Sequence, residues 1–162
     1  MTTYRTVVGV DGSEGSARAL RWAVNEAHTR GGTVQAVMTY DWAGTEAAML
    51  AGLGPEGERK HAEGVLADAV AAVRLEFPRV PVATEVLLGN AAQKLTEAAR
   101  DADLLVVGSH GHGRLYHAVL GSVSEACIRH ATCPVVVIPA HDPPPRHVTV
   151  ATQEPATGEP AV

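Results

Sequence analysis

One segment concentrates the residue types that hold phosphate: Val106-Val-Gly-Ser-His-Gly-His-Gly-Arg-Leu-Tyr-His-Ala-Val-Leu-Gly-Ser-Val-Ser124. Gly108, Gly111 and Gly113 come at short spacing behind a β-branched run, and Gly121 stands ten residues after Gly111. Glycine admits positive φ and lets backbone N–H groups approach a ligand closely. Successive N–H groups turned one way form an anion-binding concavity. A helix starting after Gly121 would add its free N–H groups and the positive end of its dipole. Ser109, Ser122 and Ser124 supply hydroxyls. Arg114 carries a charge whose planar fork matches phosphate. His110 and His112 bring partial positive charge that grows as pH falls. A second reading stays open: the glycines make tight turns, and Ser122-Val-Ser-Glu125 forms a capping box that needs no ligand. The loop is not a Walker A sequence, since no Gly-Lys-Ser/Thr follows the glycines.

Other chemistry is thinner. Asp11-Gly12-Ser13 follows a strand-like run and reads as a turn closed by an Asx hydrogen bond. Five of the eight histidines lie between positions 110 and 141, near Cys127 and Cys133. None of their spacings is that of a zinc finger or of HExxH, so no metal site is assigned. No nucleophile, base and orienting acid can be grouped by spacing, so no catalytic residue is assigned.

These residues need a scaffold, and the hydrophobic pattern supplies one. Short β-branched runs at 6–10, 33–39, 82–88, 103–107 and 134–138 read as strands. Helical periods lie between them. The first starts at Ser13, a good N-cap, runs through Ala17, Leu20, Val24 and Ala27, and ends at Gly31-Gly32. The second carries Ala62, Val65, Leu66, Ala69, Val70, Val73 and Phe77 before Pro78. The third spans 91–102 and the fourth 122–131. The connection 41–57 shows no clear period. Strict β-α alternation with continuous apolar strands predicts a doubly wound, five-stranded parallel sheet with helices on both faces. Ligands of such sheets bind beyond the carboxyl ends of the strands, where strand order reverses. The loops after the first and fourth strands are therefore the candidate site.

The chain has 162 residues, 46% of them hydrophobic and 19% charged, which excludes a disordered or collagen-like chain. With 13 Lys and Arg against 18 Asp and Glu, its formal charge is −5, so neither nucleic acid nor an anionic membrane is an expected partner. Aromatics at 4% exclude a base-stacking platform. Two cysteines, no signal-peptide pattern and no long apolar run place the protein in the cytoplasm. Five of the ten prolines fall after His141. We expect one nucleotide-binding domain over residues 1–140 and a Pro-rich disordered tail over 141–162.

The pattern Gly108-x-x-Gly111, nine residues, then Gly121-Ser122 resembles the nucleotide-binding motif of the ATP-binding universal stress proteins. Val7-Val-Gly-Val-Asp-Gly-Ser13 resembles that family's first strand and turn, and Cys133-Pro-Val-Val-Val-Ile138 its last strand. The resemblance spans roughly residues 4–139. It implies ATP as the ligand, with Mg2+ as an optional companion. Gly9 and Asp11 would sit by ribose and adenine, and Thr39 would line the adenine pocket. Gly108, Ser109, His110, Gly111, His112, Gly113 and Arg114 would wrap the phosphates. Gly121, Ser122, Val123 and Ser124 would cap them. It implies a homodimer through Val135–Ile138 and a signalling or stress-response role, with ATP hydrolysis slow at most. A slow ATPase or phosphotransferase at the same site, a cyclic adenine nucleotide as ligand, and a ligand-free dimeric interaction module are the alternatives.

Overall fold

The computed structural model describes residues 3–42, 44, 46–50, 54–110 and 120–139. The expected tail over 141–162 lies outside them. Ten elements follow in order: β1 Arg5–Gly9, α1 Glu14–Arg30, β2 Thr33–Tyr40, α2 Glu46–Leu50, α3 Pro55–Glu76, β3 Val82–Leu88, α4 Ala91–Ala98, β4 Leu104–Gly108, α5 Ser122–His130 and β5 Val135–Ile138. The sheet order is β3-β2-β1-β4-β5, and every pairing is parallel. The chain winds outward from β1 through β2 to β3, then crosses to β4 and β5. Strand order therefore reverses between β1 and β4, where Val8 pairs with Val106.

Alternation along the strands builds two core layers. Val8, Ala36 and Val106 face α1 and α3, where they meet Leu20, Val24, Leu66 and Val70. Val7, Val37, Leu105 and Val107 face the other way, onto Leu95 and Ala99 of α4 and Cys127 of α5. Residues buried on both faces explain why the strands read as continuous apolar runs.

Helix boundaries differ from the periodic pattern in instructive ways. In α1 the buried stripe is Ala19, Leu20, Ala23, Val24 and Ala27, whereas Ala17, expected within it, is exposed. Alanine carries too little apolar surface for its spacing to fix a face. Helix α3 starts at Pro55, seven residues ahead of the apolar stripe that begins at Ala62. Its first two turns are polar and solvent-exposed, and Pro55 at the first position presets φ. Helix α4 stops at Ala98 rather than 102, and a turn closes by Ala102 N–H to the Ala99 carbonyl at 3.0 Å. Residues 46–50 within the aperiodic connection form the short helix α2.

Two adjacent glycines link α1 to β2 for different reasons. Gly31 has φ +64, a left-handed C-cap whose N–H reaches the Ala27 and His28 carbonyls. A Cβ there would meet nothing within 4 Å. A Cβ on Gly32 would sit 2.4 Å from the Tyr4 carbonyl oxygen, the acceptor that anchors β2 to β1 through Thr33 N–H at 2.8 Å. Gly31→Ala should therefore cost about 1–2 kcal/mol, the left-handed penalty alone. Gly32→Ala should cost more, because backbone must move. Urea unfolding of the two variants checks this, and an equal cost would contradict the contact.

Candidate functional site

At the carboxyl ends of β1 and β4 the structure opens a cleft of about 530 Å³. Its first wall is the turn after β1. Val10 N–H still reaches the Val37 carbonyl at 2.9 Å, and then the chain leaves the sheet. Asp11 Oδ1 accepts from Ser13 N–H at 2.9 Å and from the Ser13 hydroxyl. Ser13 Oγ accepts from Ser16 N–H at 3.2 Å, capping α1. Ser16 Oγ donates to the Ser13 carbonyl at 2.9 Å and accepts from Asp11 N–H at 3.2 Å. Gly12, at φ +81, lets the turn close. The expected Asx turn is thus formed, and Asp11 lines the cleft as well.

The second wall begins where β4 ends. Ser109 N–H donates to the Ile138 carbonyl at 2.8 Å. The Ser109 carbonyl accepts from Gly121 N–H at 2.7 Å and from the Ser124 hydroxyl at 3.2 Å. Ser124 Oγ also lies 2.8 Å from the Gly121 carbonyl. The two ends of the glycine-rich segment are stitched to each other and to β5. Gly108 and Gly121 serve close approach here. A Cβ on Gly108 would lie 3.2 Å from the Gly15 backbone, and one on Gly121 would lie 3.1 Å from the Ser109 carbonyl oxygen. Among the described glycines the left-handed ones are Gly12, Gly31, Gly44 and Gly89, so a tight turn is not the role of Gly108 or Gly121. Gly111, His112, Gly113 and Arg114 lie outside the described residues.

The capping box, the alternative reading of Ser122–Glu125, is not formed. Gly121 is the N-cap of α5 and makes no side-chain cap bond. Glu125 instead pairs with Arg129 one turn on. Ser124 is buried, and its hydroxyl faces the two carbonyls above. Ser122 and Val123 open α5 at the cleft rim, where Val123 and Leu120 are exposed.

The floor is apolar: Val37, Ala91, Leu95 and Val107. A Cβ on Gly9 would fall 2.9 Å from Leu95 Cδ1, so the bare Gly9 lets α4 lie close over the end of β1. Thr39 lines the cleft with a particular orientation. In β2, Thr33 N–H and the Val37 carbonyl bond toward β1, whereas Val34 N–H and the Tyr40 carbonyl bond toward β3. Residues two apart point the same way. The N–H and C=O of Thr39 therefore turn toward the β1 side, beyond the point where β1 has ended. Sequence reasoning found Gly9, Asp11, Thr39, Gly108, Ser109, His110 and 121–124, all brought to this one cleft. It missed Val10, Ser16, Val37, Ala91, Leu95, Val107 and Leu120. Val37 shares the parity of Thr39, and Ala91 and Leu95 share one face of the helix capped by Asn90, signals that were present.

His110 shows an unusual state. Its Nδ1 lies 3.1 Å from Ser109 Oγ, while its Nε2 is buried without a hydrogen-bond partner among the described residues. Elsewhere, no group of three or more His, Cys, Asp or Glu side chains converges among the described residues. No described helix is long and apolar enough to cross a membrane. Cys127 is fully buried against α4, and burial pushes its thiol up to about 11.

Residues 3–139 match the sequence profile of the universal stress protein family. A universal stress protein of Mycobacterium tuberculosis is 39% identical over 131 residues, covering 81% of this chain and 44% of the relative. The chain thus spans a little under half the length of that relative. Among solved structures, a universal stress family protein from Burkholderia pseudomallei is 30% identical, with a TM-score of 0.62 over 83% of this chain and 95% of that one. The universal stress protein of Archaeoglobus fulgidus in complex with dAMP is 26% identical, with a TM-score of 0.64 over 85% of this chain and 99% of that one.

The two thiols should separate chemically. Burial raises both, but Cys133 is only part-buried. At pH 8 a disulfide reagent should titrate Cys133 first and reach Cys127 on unfolding. The sign for stability follows from linkage. Below the unfolded thiol value near 8.5 both states are protonated and Cys127 contributes nothing. Between there and about 11 only the unfolded state ionises, so this residue lowers stability as pH rises. Equal labelling rates in the native protein would contradict the packing.

Proposed function

The chain belongs to the universal stress protein family, and from that premise we propose that it is an adenine-nucleotide-binding protein whose ligand is ATP. The observation that carries this reading is the cleft at the strand-order reversal, with the Thr39 backbone turned into it. Adenine presents a ring-nitrogen acceptor beside an amino donor. The Thr39 N–H and C=O offer the complementary donor and acceptor over the floor of Val37, Leu95 and Val107. Guanine presents the reverse order at those positions and is mismatched. Gly9 and Asp11 take the ribose side. The phosphates run toward the starts of α1 and α5, where free N–H groups and helix dipoles favour anions. There Ser109, His110, Gly111, His112, Gly113 and Arg114 wrap them and Gly121–Ser124 caps them. The relative solved with dAMP supports an adenine nucleotide in this fold.

Asp11 is the carboxylate among the described lining residues, and its Oδ1 is engaged by Ser13. One carboxylate is a sparse set for Mg2+ and for phosphoryl transfer, which favours a bound nucleotide that signals over one that is rapidly hydrolysed. Strand β5 is the last in the sheet, its four apolar residues are half-buried, and among the described residues no strand pairs with its outer edge. We assign that edge to a homodimer, working in the cytoplasm, in which the domain over 1–140 is the operative unit.

The test is to denature the purified protein, identify any released nucleotide, and titrate the emptied protein calorimetrically. ATP, ADP and AMP should bind. GTP should bind at least about thirtyfold more weakly, since both Thr39 groups are unmatched and each unmatched buried donor or acceptor costs about 1–3 kcal/mol. Gly9→Val, which fills the cleft beside the movable end of Leu95, should weaken ATP binding by about tenfold or more. Absence of binding heat from a folded dimer would overturn the reading and leave a ligand-free interaction module.

A further inference from the structure

Resting on the nucleotide-binding reading above, we propose that Arg5 is a positioning residue for the cleft floor: braced by Gln35 and Glu85, it fixes the carboxyl end of α4 and, through that helix, Ala91 and Leu95. The starting observation is how lightly α4 is held. It has eight residues, of which Leu95 is the buried one, and a helix that short is not stable on its own. Yet Ala91 and Leu95 line the cleft, and Leu95 Cδ1 is the atom a Cβ on Gly9 would strike. A wall with so little apolar anchorage depends on polar ties at its two ends.

At the amino end Asn90 Oδ1 accepts from Gln93 N–H at 3.0 Å. At the carboxyl end the last carbonyls have no partners within the helix. The last turn of α4 carries no basic side chain of its own. Arg5, the first residue of β1, supplies one from across the sheet face. Its Nη2 donates to the carbonyl of Ala98, the last residue of α4, at 3.2 Å. A cation there also complements the negative end of the helix dipole.

The guanidinium is itself held in place. Arg5 shares the parity of Val7, Gln35 that of Val37, and Glu85 that of Leu87, so all three stand on the sheet face that α4 covers. Arg5 Nη2 donates to Gln35 Oε1 at 2.5 Å, and Gln35 Nε2 donates to Glu85 Oε2. The root of the side chain is fixed as well. Arg5 N–H donates to Asp103 Oδ2 at 2.8 Å, and the Arg5 carbonyl accepts from Asp103 N–H at 2.9 Å. Three adjacent strands thus hold one half-buried guanidinium, and the guanidinium holds α4. A cation there that lost an acceptor would be costly, so α4 does not shift away from it freely.

Calorimetric titration of the full chain with adenosine and with ATP reads the position of the floor. Arg5→Met keeps a stem and removes the fork. It should weaken adenosine and ATP by the same factor, roughly two- to thirtyfold. Adenosine is uncharged, so its loss cannot come from taking a cation out of the protein's field. Arg74→Met is the stability control. Arg74 Nη2 holds the Val82 carbonyl at 2.8 Å, and neither residue lines the cleft. That variant should lower the melting temperature and leave both affinities unchanged. The route through α4 is read by a double-mutant cycle: in a Leu95→Ala background, Arg5→Met should weaken adenosine less than it does alone. Unchanged adenosine affinity in Arg5→Met, a loss confined to ATP, an equal loss in Arg74→Met, or full additivity with Leu95→Ala overturns the proposal. If Arg5→Met does not fold, Gln35→Leu carries the test by releasing the guanidinium from β2. It should weaken both ligands, and unchanged affinities overturn the proposal. Any of these results in a protein that binds adenosine and ATP defeats this inference alone. Failure of the unaltered protein to bind either ligand defeats the nucleotide reading with it.

Discussion

The carbonyl of Ser109 is the point on which the site depends. It accepts from Gly121 N–H at 2.7 Å and from the Ser124 hydroxyl, while the N–H of the same residue donates to Ile138. One peptide neighbourhood thereby joins the end of β4, the start of α5 and the end of β5. The approach is close enough that Gly108 and Gly121 leave little room for a Cβ. Remove these contacts and the segment between them has no fixed ends. The cleft wall, the helix start that favours anions and the position of His110 all follow from this junction.

Much of this was legible in the residues, because two strong signals govern the fold. Apolar, β-branched-rich runs marked all five strands to within about a residue, most plainly in the central β1 and β4, which are buried on both faces. The edge strand β3 carries Thr84 and Glu85 and was still found by its flanking Val82 and Val86–Leu88. Asp11-Gly12-Ser13 stated its own turn, because an Asx bond, a left-handed glycine and an N-cap are local devices. What escaped was decided by tertiary contact. Ala17 looks like Ala19 in sequence, and only packing shows which one is buried. The start of α3 is polar and carries no periodic signal ahead of Ala62. Ser122-Val-Ser-Glu125 has the letters of a capping box, but α5 starts one residue too early for it: Ser122 is already the first helical residue, Gly121 takes the N-cap, and Glu125 pairs with Arg129.

The same reasoning explains why the partners of Gly108 and Gly121 could not be named in advance. Glycine's freedom in φ is visible in sequence as a possibility at every position. Its lack of a side chain matters only where another backbone approaches, and that cannot be known before the sheet is assembled. Gly108 meets Gly15, which lies 93 positions earlier in the chain. Gly9 meets Leu95 of α4. Both contacts cross the place where strand order reverses, so the topology that creates the crevice also imposes the small residues around it.

The division of the cleft has a consequence for what a ligand can do to the protein. Its floor is built on β1, β2, β4 and α4, elements buried in the core, and so offers binding energy with little movement. Its mouth is built on the Ser109 junction, whose bonds also reach β5. A ligand that touched only the floor would bind without altering β5. A ligand that reaches Ser109 or His110 acts on an atom set shared with the sheet's open edge. Coupling between sites needs such differential contact and does not arise from proximity alone. On the nucleotide reading proposed above, the head group, rather than the base, is the part that would meet residues bonded to the edge strand.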